Sequence, residues 1–244
     1  MLNFEKLMKY YNDDDNINSI IQFLEHRETA LIVSKGYPEQ NQRSCRNIRL
    51  ESVRDFKWWI LRWSGFADKV TMYNLYHSMA IYKYGIPRLP SRYVERKPLQ
   101  QQWAINHWKQ IEDYDCLIDI DAPTHELMPM AKEDAIKIMQ YLDDKKYKYQ
   151  IRFSGCGFHF IIPSEEFNND DFDPYSTNSV YDDMRKLVQH LYDNYTEFID
   201  TGVIDSRRVC KIPNTIAIYH QKTYMCKVLK KEQLENFELK DYEW

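Results

Sequence analysis

The stretch Asp115-Cys116-Leu117-Ile118-Asp119-Ile120-Asp121-Ala122 decides the reading of this chain. Leu117, Ile118 and Ile120 form the short apolar run of a buried strand. Residues two apart on a strand point to one face, so Asp119 and Asp121 should project together. Carboxylates that close repel, and burying them unpaired is costly, so the pair asks for a divalent cation beside it. The competing reading is a strand end whose two acids face water, and Asp-x-Asp alone does not separate the two.

The chain flanking this strand reads as alternating helices and strands. Downstream, Pro123 and Pro129 mark a loop, and Ala135, Ile136, Met139 and Leu142 give a helical stripe. Tyr147 to Phe153 then reads as a strand, turned by Ser154-Gly155-Cys156-Gly157 into a second strand from Phe158 to Ile162. After a polar loop over 168–179, Val180, Met184, Leu187, Val188, Leu191 and Tyr195 line one side of the clearest helix. Residues 199–212 and 215–229 read as strands and turns, the latter a hairpin around His220 to Thr223.

Upstream, Ile17, Ile20, Ile21 and Leu24 share a helix face behind the acidic Asp13-Asp14-Asp15, and Thr29 to Val33 forms a strand closed by Gly36-Tyr37-Pro38. Arg43, Arg46, Arg49 and Arg54 follow, either a phosphate-binding groove or a solvated face. Trp58, Trp59 and Trp63 around Ile60 and Leu61 are expected in the core rather than as a base-stacking platform. Tyr73 to Tyr82 reads as an extended segment ending before Gly85-Ile86-Pro87. Arg88, Arg92, Arg96 and Lys97, then Trp103 and Trp108, lead into the aspartates with no flexible linker, so two lobes packed as one unit are expected, over 1–110 and 111–244.

Composition bounds what the site can belong to. The 244 residues can bury a sizeable core, and no apolar run approaches the roughly 20 residues that cross a bilayer. With no signal-like segment at Met1 to Lys6, a cytoplasmic location is expected. The five cysteines are scattered, without a Cys-x-x-Cys pair, which argues against a disulfide framework and a zinc knuckle. The formal charge of −4 exerts no global pull on nucleic acid, so binding would need a local basic groove.

Two further elements carry chemistry. His159 lies on the strand after the glycine turn, opposite in face to Phe158, Phe160 and Ile162, where it could donate to a phosphate oxygen beside the turn's backbone N–H groups; a structural hairpin histidine is the alternative. The run from Phe198-Ile199-Asp200 to Asp205-Ser206-Arg207-Arg208-Val209-Cys210-Lys211-Ile212-Pro213 adds apolar-flanked acids and then basic residues. Cations held by three carboxylates, next to groups that neutralise a triphosphate, suit in-line nucleotidyl transfer.

In order, Leu117-Ile118-Asp119-Ile120-Asp121-Ala122, Phe153-Ser154-Gly155-Cys156-Gly157-Phe158-His159, and Ile199-Asp200 with Arg208-x-x-Lys211-Ile212-Pro213 resemble the three motifs of the archaeo-eukaryotic primase superfamily. The nearest likeness is to the small catalytic subunit of archaeal and eukaryotic DNA primase, over about residues 73–229, with Tyr76 to Tyr82 and Trp108 to Tyr114 resembling its approach to the first motif. The resemblance implies an α/β (α+β) fold in two lobes: an RRM-like mixed sheet with flanking helices, plus a smaller N-terminal α/β lobe. It implies Asp119, Asp121 and Asp200 as catalytic metal ligands for Mg²⁺ or Mn²⁺, with Asp205 a rival third ligand because the third motif is one residue short. Ser154 and His159, helped by Arg152, and the basic Arg208 and Lys211 would contact the nucleotide's phosphates. A histidine expected after Pro213 has His220 as its nearest counterpart, and no structural zinc is expected.

The function so implied is a primase catalytic subunit or primase-polymerase that makes short RNA or DNA primers from nucleoside triphosphates on a single-stranded DNA template. A large helical primase subunit is an expected partner. A plasmid, virus or defence primase-polymerase and an end-joining repair polymerase share these motifs. A metal-dependent phosphohydrolase or nuclease, which needs neither the Ser-Gly-x-Gly-x-His strand nor the late basic cluster, and a non-catalytic nucleic-acid-binding module are the readings from other classes.

Overall fold

The computed structural model describes residues 4–35, 43–48, 50–64, 70–83, 110–167, 180–205, 207–219 and 222–244. The Gly36 to Pro38 turn, Arg49, the Arg88 to Trp108 segment, the 168–179 loop and His220 lie outside them.

The chain opens with helices α1 (Phe4–Tyr10) and α2 (Asp14–Ile21). Asp13 caps α2 by accepting from the Asn16 N–H at 3.0 Å, and Ile17 and Ile20 are fully buried while Leu24 packs just past the helix end. Strands β1 (Arg27–Lys35), β2 (Arg43–Ile48), β3 (Val70–Tyr82) and β4 (Ile111–Tyr114) form a sheet in the order β2-β1-β3-β4, with helix α3 (Val53–Ser64) between β2 and β3 in sequence. Strand β5 (Cys116–Asp121) follows, then α4 (Met128–Asp144), β6 (Gln150–Phe153), β7 (Gly157–Ile162) and α5 (Val180–Asn194). The chain ends with β8 (Val209–Lys211), β9 (Ile216–Tyr219), β10 (Lys222–Met225), β11 (Lys227–Leu229) and the short helix α6 (Lys231–Glu235).

The second sheet runs β11-β6-β7-β5, and β9 and β10 form the hairpin expected around residue 220. The resemblance implied a mixed sheet; every described strand pairing is antiparallel. The result is an α+β fold on antiparallel sheets, in which a short turn joins β6 to β7. Central strand β7 is buried on both faces, which explains its near-continuous apolar run Phe158 to Ile162 around His159. Helix α4 covers this sheet with Met128, Ala131, Ala135, Ile138, Met139 and Leu142, spaced three and four apart along one face.

Two apolar cores result. One gathers β5, β7, α4 and α5; the other gathers α1, α2, α3 and parts of β1, β3 and β9. Strand β8 joins the first sheet by pairing with β3, placing Lys211 opposite Tyr76 and Cys210 opposite His77. Within α3 only part of the tryptophan cluster is core. Trp59 and Ile60 are buried, whereas Trp58 is 61 % and Leu61 71 % exposed, because at about 100° per residue positions 56, 59 and 60 fall within one arc of the helix and positions 58 and 61 on the opposite side. The Trp63 side chain lies outside the described residues.

Candidate active site

Strand β5 supplies the first pair. Ile118 and Ile120 are fully buried, and their partners in the alternation, Asp119 and Asp121, emerge on the other face. In the antiparallel register Asp119 faces His159 and Asp121 faces Gly157. Gly157 is required there: a Cβ would lie 1.8 Å from the Ile120 carbonyl oxygen, so any other residue pushes β7 off β5.

Strand β5 is the edge of its sheet, and residues 198–200 close that edge. The Asp121 N–H donates to the Phe198 carbonyl at 3.1 Å and the Asp200 N–H to the Asp119 carbonyl at 3.0 Å, around an antiparallel bridge between Ile120 and Ile199. This backbone ladder brings Asp200 next to the pair from far along the chain. Its carboxylate accepts from the Gly202 N–H at 2.8 Å and from Arg208 Nη2 at 3.3 Å. Arg208 also holds the Gly202 and Val203 carbonyls and stands 3.6 Å from the Asp205 carboxylate. Asp205 itself caps the following turn through the Arg207 N–H, and its backbone carbonyl accepts from the Tyr114 hydroxyl.

The charge distribution around the pair is asymmetric. His159 Nε2 lies 3.2 Å from Asp119 Oδ1, an ion-pair contact rather than an aligned hydrogen bond: Oδ1 is buried and accepts no hydrogen bond among the described residues, and His159 Nδ1 is also left without one. Burial pulls the imidazole toward neutrality, but the Asp119 carboxylate outweighs it and holds the His159 pKa at about 9. Burial works against ionisation of Asp119 too, yet His159, Lys211 and Arg208 keep its pKa below the ordinary carboxylate value. Asp121 moves the opposite way, raised by burial and by the charge of Asp119.

Cys156 links Asp121 to the basic strand β8. Its Sγ donates to Asp121 Oδ1 at 3.0 Å and accepts from Lys211 Nζ at 3.3 Å. Burial pushes this thiol up to about 12, so it stays a donor. Sequence reasoning gave Cys156 no role; its position between two glycines of the turn was the available signal.

The remaining expected phosphate ligands sit differently. The Ser154 hydroxyl is buried and donates back to the Gly157 carbonyl at 3.2 Å, within its own turn. Arg152 is 7 % exposed and donates to Gln150 Oε1 and to His77 Nε2, each at 2.6 Å, with Cys210 Sγ at 3.6 Å. His77 Nδ1 meets the Ser78 carbonyl at 2.8 Å. With Nδ1–H donating there, Nε2 is free to accept from Arg152, so His77 is neutral, and burial lowers its pKa accordingly.

Asp119, Asp121, Asp200, His159, Arg208 and Lys211 are thus drawn into one neighbourhood, while Ser154 and Arg152 turn into the interior. Among the described residues no three His, Cys, Asp or Glu side chains converge on one point as a ready-made metal cage. Asp119 and Asp121 nonetheless suit a hard cation: two carboxylates on one face of a strand, one with a buried oxygen that accepts no hydrogen bond among the described residues. No described helix is long and apolar enough to cross a membrane.

No family model matches the chain, and no curated protein matches its sequence. Among solved structures, it is similar to the polymerase domain of Ligase D from Mycobacterium tuberculosis, solved in complex with DNA, at a TM-score of 0.55 and 8 % identity. The likeness covers 95 % of this chain and 82 % of that one. At that identity it is a likeness of fold.

Proposed function

We propose that this chain is a template-dependent nucleotidyltransferase of primase-polymerase type, which extends or starts short primers from nucleoside triphosphates on a single strand of DNA. The observation that carries the reading is the backbone ladder that sets Asp200 beside Asp119 and Asp121, with Lys211 and Arg208 alongside. The fold likeness to a polymerase domain that binds DNA supports it.

In this reading Asp119 and Asp121 would hold Mg²⁺ or Mn²⁺, with Asp200 the third acid beside them. The bound cations would supply charge neutralisation at the reacting phosphate and a more nucleophilic 3′-hydroxyl. Arg208 and Lys211, which hold Asp200 and Cys156 in this structure, are the basic groups beside the acids that would bind the triphosphate oxygens. His159 keeps Asp119 ionised and oriented by facing it across the strands. A large helical subunit is the partner to test if the chain is inactive alone.

The test is incorporation of labelled nucleotides on single-stranded templates, primed and unprimed, with Mg²⁺ and with Mn²⁺. Asp119→Asn and Asp121→Asn should each abolish product while the variants melt as cooperatively as wild type. Triphosphate hydrolysis without extension, or synthesis unchanged by either substitution, would overturn the reading.

A further inference from the structure

Helix α3 carries an outer face that the core does not use. Phe56, Trp59 and Ile60 are buried, whereas Trp58 and Leu61 are large apolar residues left outside among the described side chains of the helix. Arg54, Trp58 and Arg62 stand four residues apart in sequence and therefore line one exposed stripe, with Leu61 beside it. The Arg62 guanidinium carbon lies 5.5 Å from the Trp58 ring centroid. Neither Arg54 nor Arg62 has an ion-pair partner among the described residues. Of the charged neighbours, the exposed Asp55 accepts from the Ser52 hydroxyl at 2.7 Å and keeps its charge, and Lys57 pairs with Asp14.

The chemistry of this face narrows its partner. An apolar protein surface seated on Trp58 and Leu61 would strip water from two guanidinium groups without supplying counter-charge. A polyanion supplies that charge, although the chain as a whole is net negative at −4. A duplex hides its base faces, whereas a single strand presents bases to stack on the indole and phosphates to pair with the flanking arginines.

We infer that the Arg54–Trp58–Arg62 face of α3 is a binding site for single-stranded nucleic acid, on an element that contributes no residue to the candidate active site. The stripe spans two helical turns, enough to hold a short stretch of strand. That the bound strand is the template rests on the proposed polymerase function; the binding itself does not.

The experiment is fluorescence anisotropy of a labelled oligothymidylate at several salt concentrations, with the full chain. Trp58→Ala should weaken binding about tenfold, and Trp58→Phe by clearly less, because a ring still stacks. Arg54→Ala with Arg62→Ala should lower the slope of log affinity against log salt by about 1.4, the change expected when two phosphates are no longer neutralised by arginine. Unchanged affinity and slope in variants with wild-type melting temperatures would overturn the inference. So would a change of molecular mass in solution on Trp58→Ala, which would make the face a contact between copies. A wild-type chain that binds through α3 yet incorporates nothing, alone or with a helical partner subunit, refutes the polymerase reading alone. Incorporation together with α3 variants that bind normally refutes only the α3 site.

Discussion

His159 stands directly across the sheet from Asp119, with Nε2 3.2 Å from Oδ1 in surroundings that leave the two side chains 5 % and 15 % exposed. Removing one partner of a buried ion pair strands the other charge. His159→Ala should therefore cost about 3–5 kcal/mol in denaturant unfolding, and His159→Gln less, since an amide can still donate to Asp119. A cost within about 0.5 kcal/mol for the alanine variant would show that the pair does not form.

A cation held by Asp119 and Asp121 stabilises the folded state by mass action. Mn²⁺ at about 100 times its Kd should add about 2.7 kcal/mol, readable as a rise in melting temperature that chelator reverses. Asp119→Asn and Asp121→Asn should lose most of that rise. An equal rise in all three proteins would place the metal elsewhere.

The ladder on the edge of β5 favours Asp200 over Asp205 as the third acid, because only Asp200 is hydrogen-bonded to Asp119 through its backbone. Asp200→Ala should reduce primer synthesis by at least about 10²-fold, and Asp205→Ala by less than about tenfold. The reverse order in a steady-state extension assay would exchange their roles.

Gly157 leaves no space for a side chain, with its Cβ position 1.8 Å from the Ile120 carbonyl oxygen. Gly157→Ala should destabilise the fold by at least about 3 kcal/mol, lowering the melting temperature by roughly 6 °C or more. A variant that melts like wild type would show that β7 and β5 can part at Asp121 without cost.

The neutral His77 gives a pH signature. Its pKa is lowered from 6.5 by burial first, with the Arg152 and Arg27 charges adding to the effect. A depressed histidine contributes stability above its unfolded value and loses it as pH falls toward the folded one, because the unfolded chain takes the proton more readily. The difference in stability between wild type and His77→Gln should shrink as pH drops below about 6.5, the unfolded value. A difference that stays constant from neutral pH to below about 5 would mean that His77 has the same pKa folded and unfolded, and one that grows as pH falls would mean that His77 is charged in the fold.

Much of this architecture was legible in the chain because it is local. Alternation marked β5 and its outward acids, a three-and-four stripe marked α4, and a glycine turn marked the β6–β7 hairpin, each set by backbone geometry over a few residues. The order of acids and basic residues likewise pointed to phosphate chemistry. What only the tertiary structure decided depends on residues far apart in sequence. Residues 198–200 add to the edge of β5 and so select Asp200 as its neighbour. Strand β8 pairs with β3, bringing Lys211 against Cys156 and Cys210 against His77. Arg152 faces the interior because β6 is covered on that side, where His77 accepts its hydrogen bond. Trp58 faces outward because the core already takes Phe56, Trp59 and Ile60 from the opposite side of α3. Periodicity assigns a residue to a face, but which face is covered is settled by what packs against it.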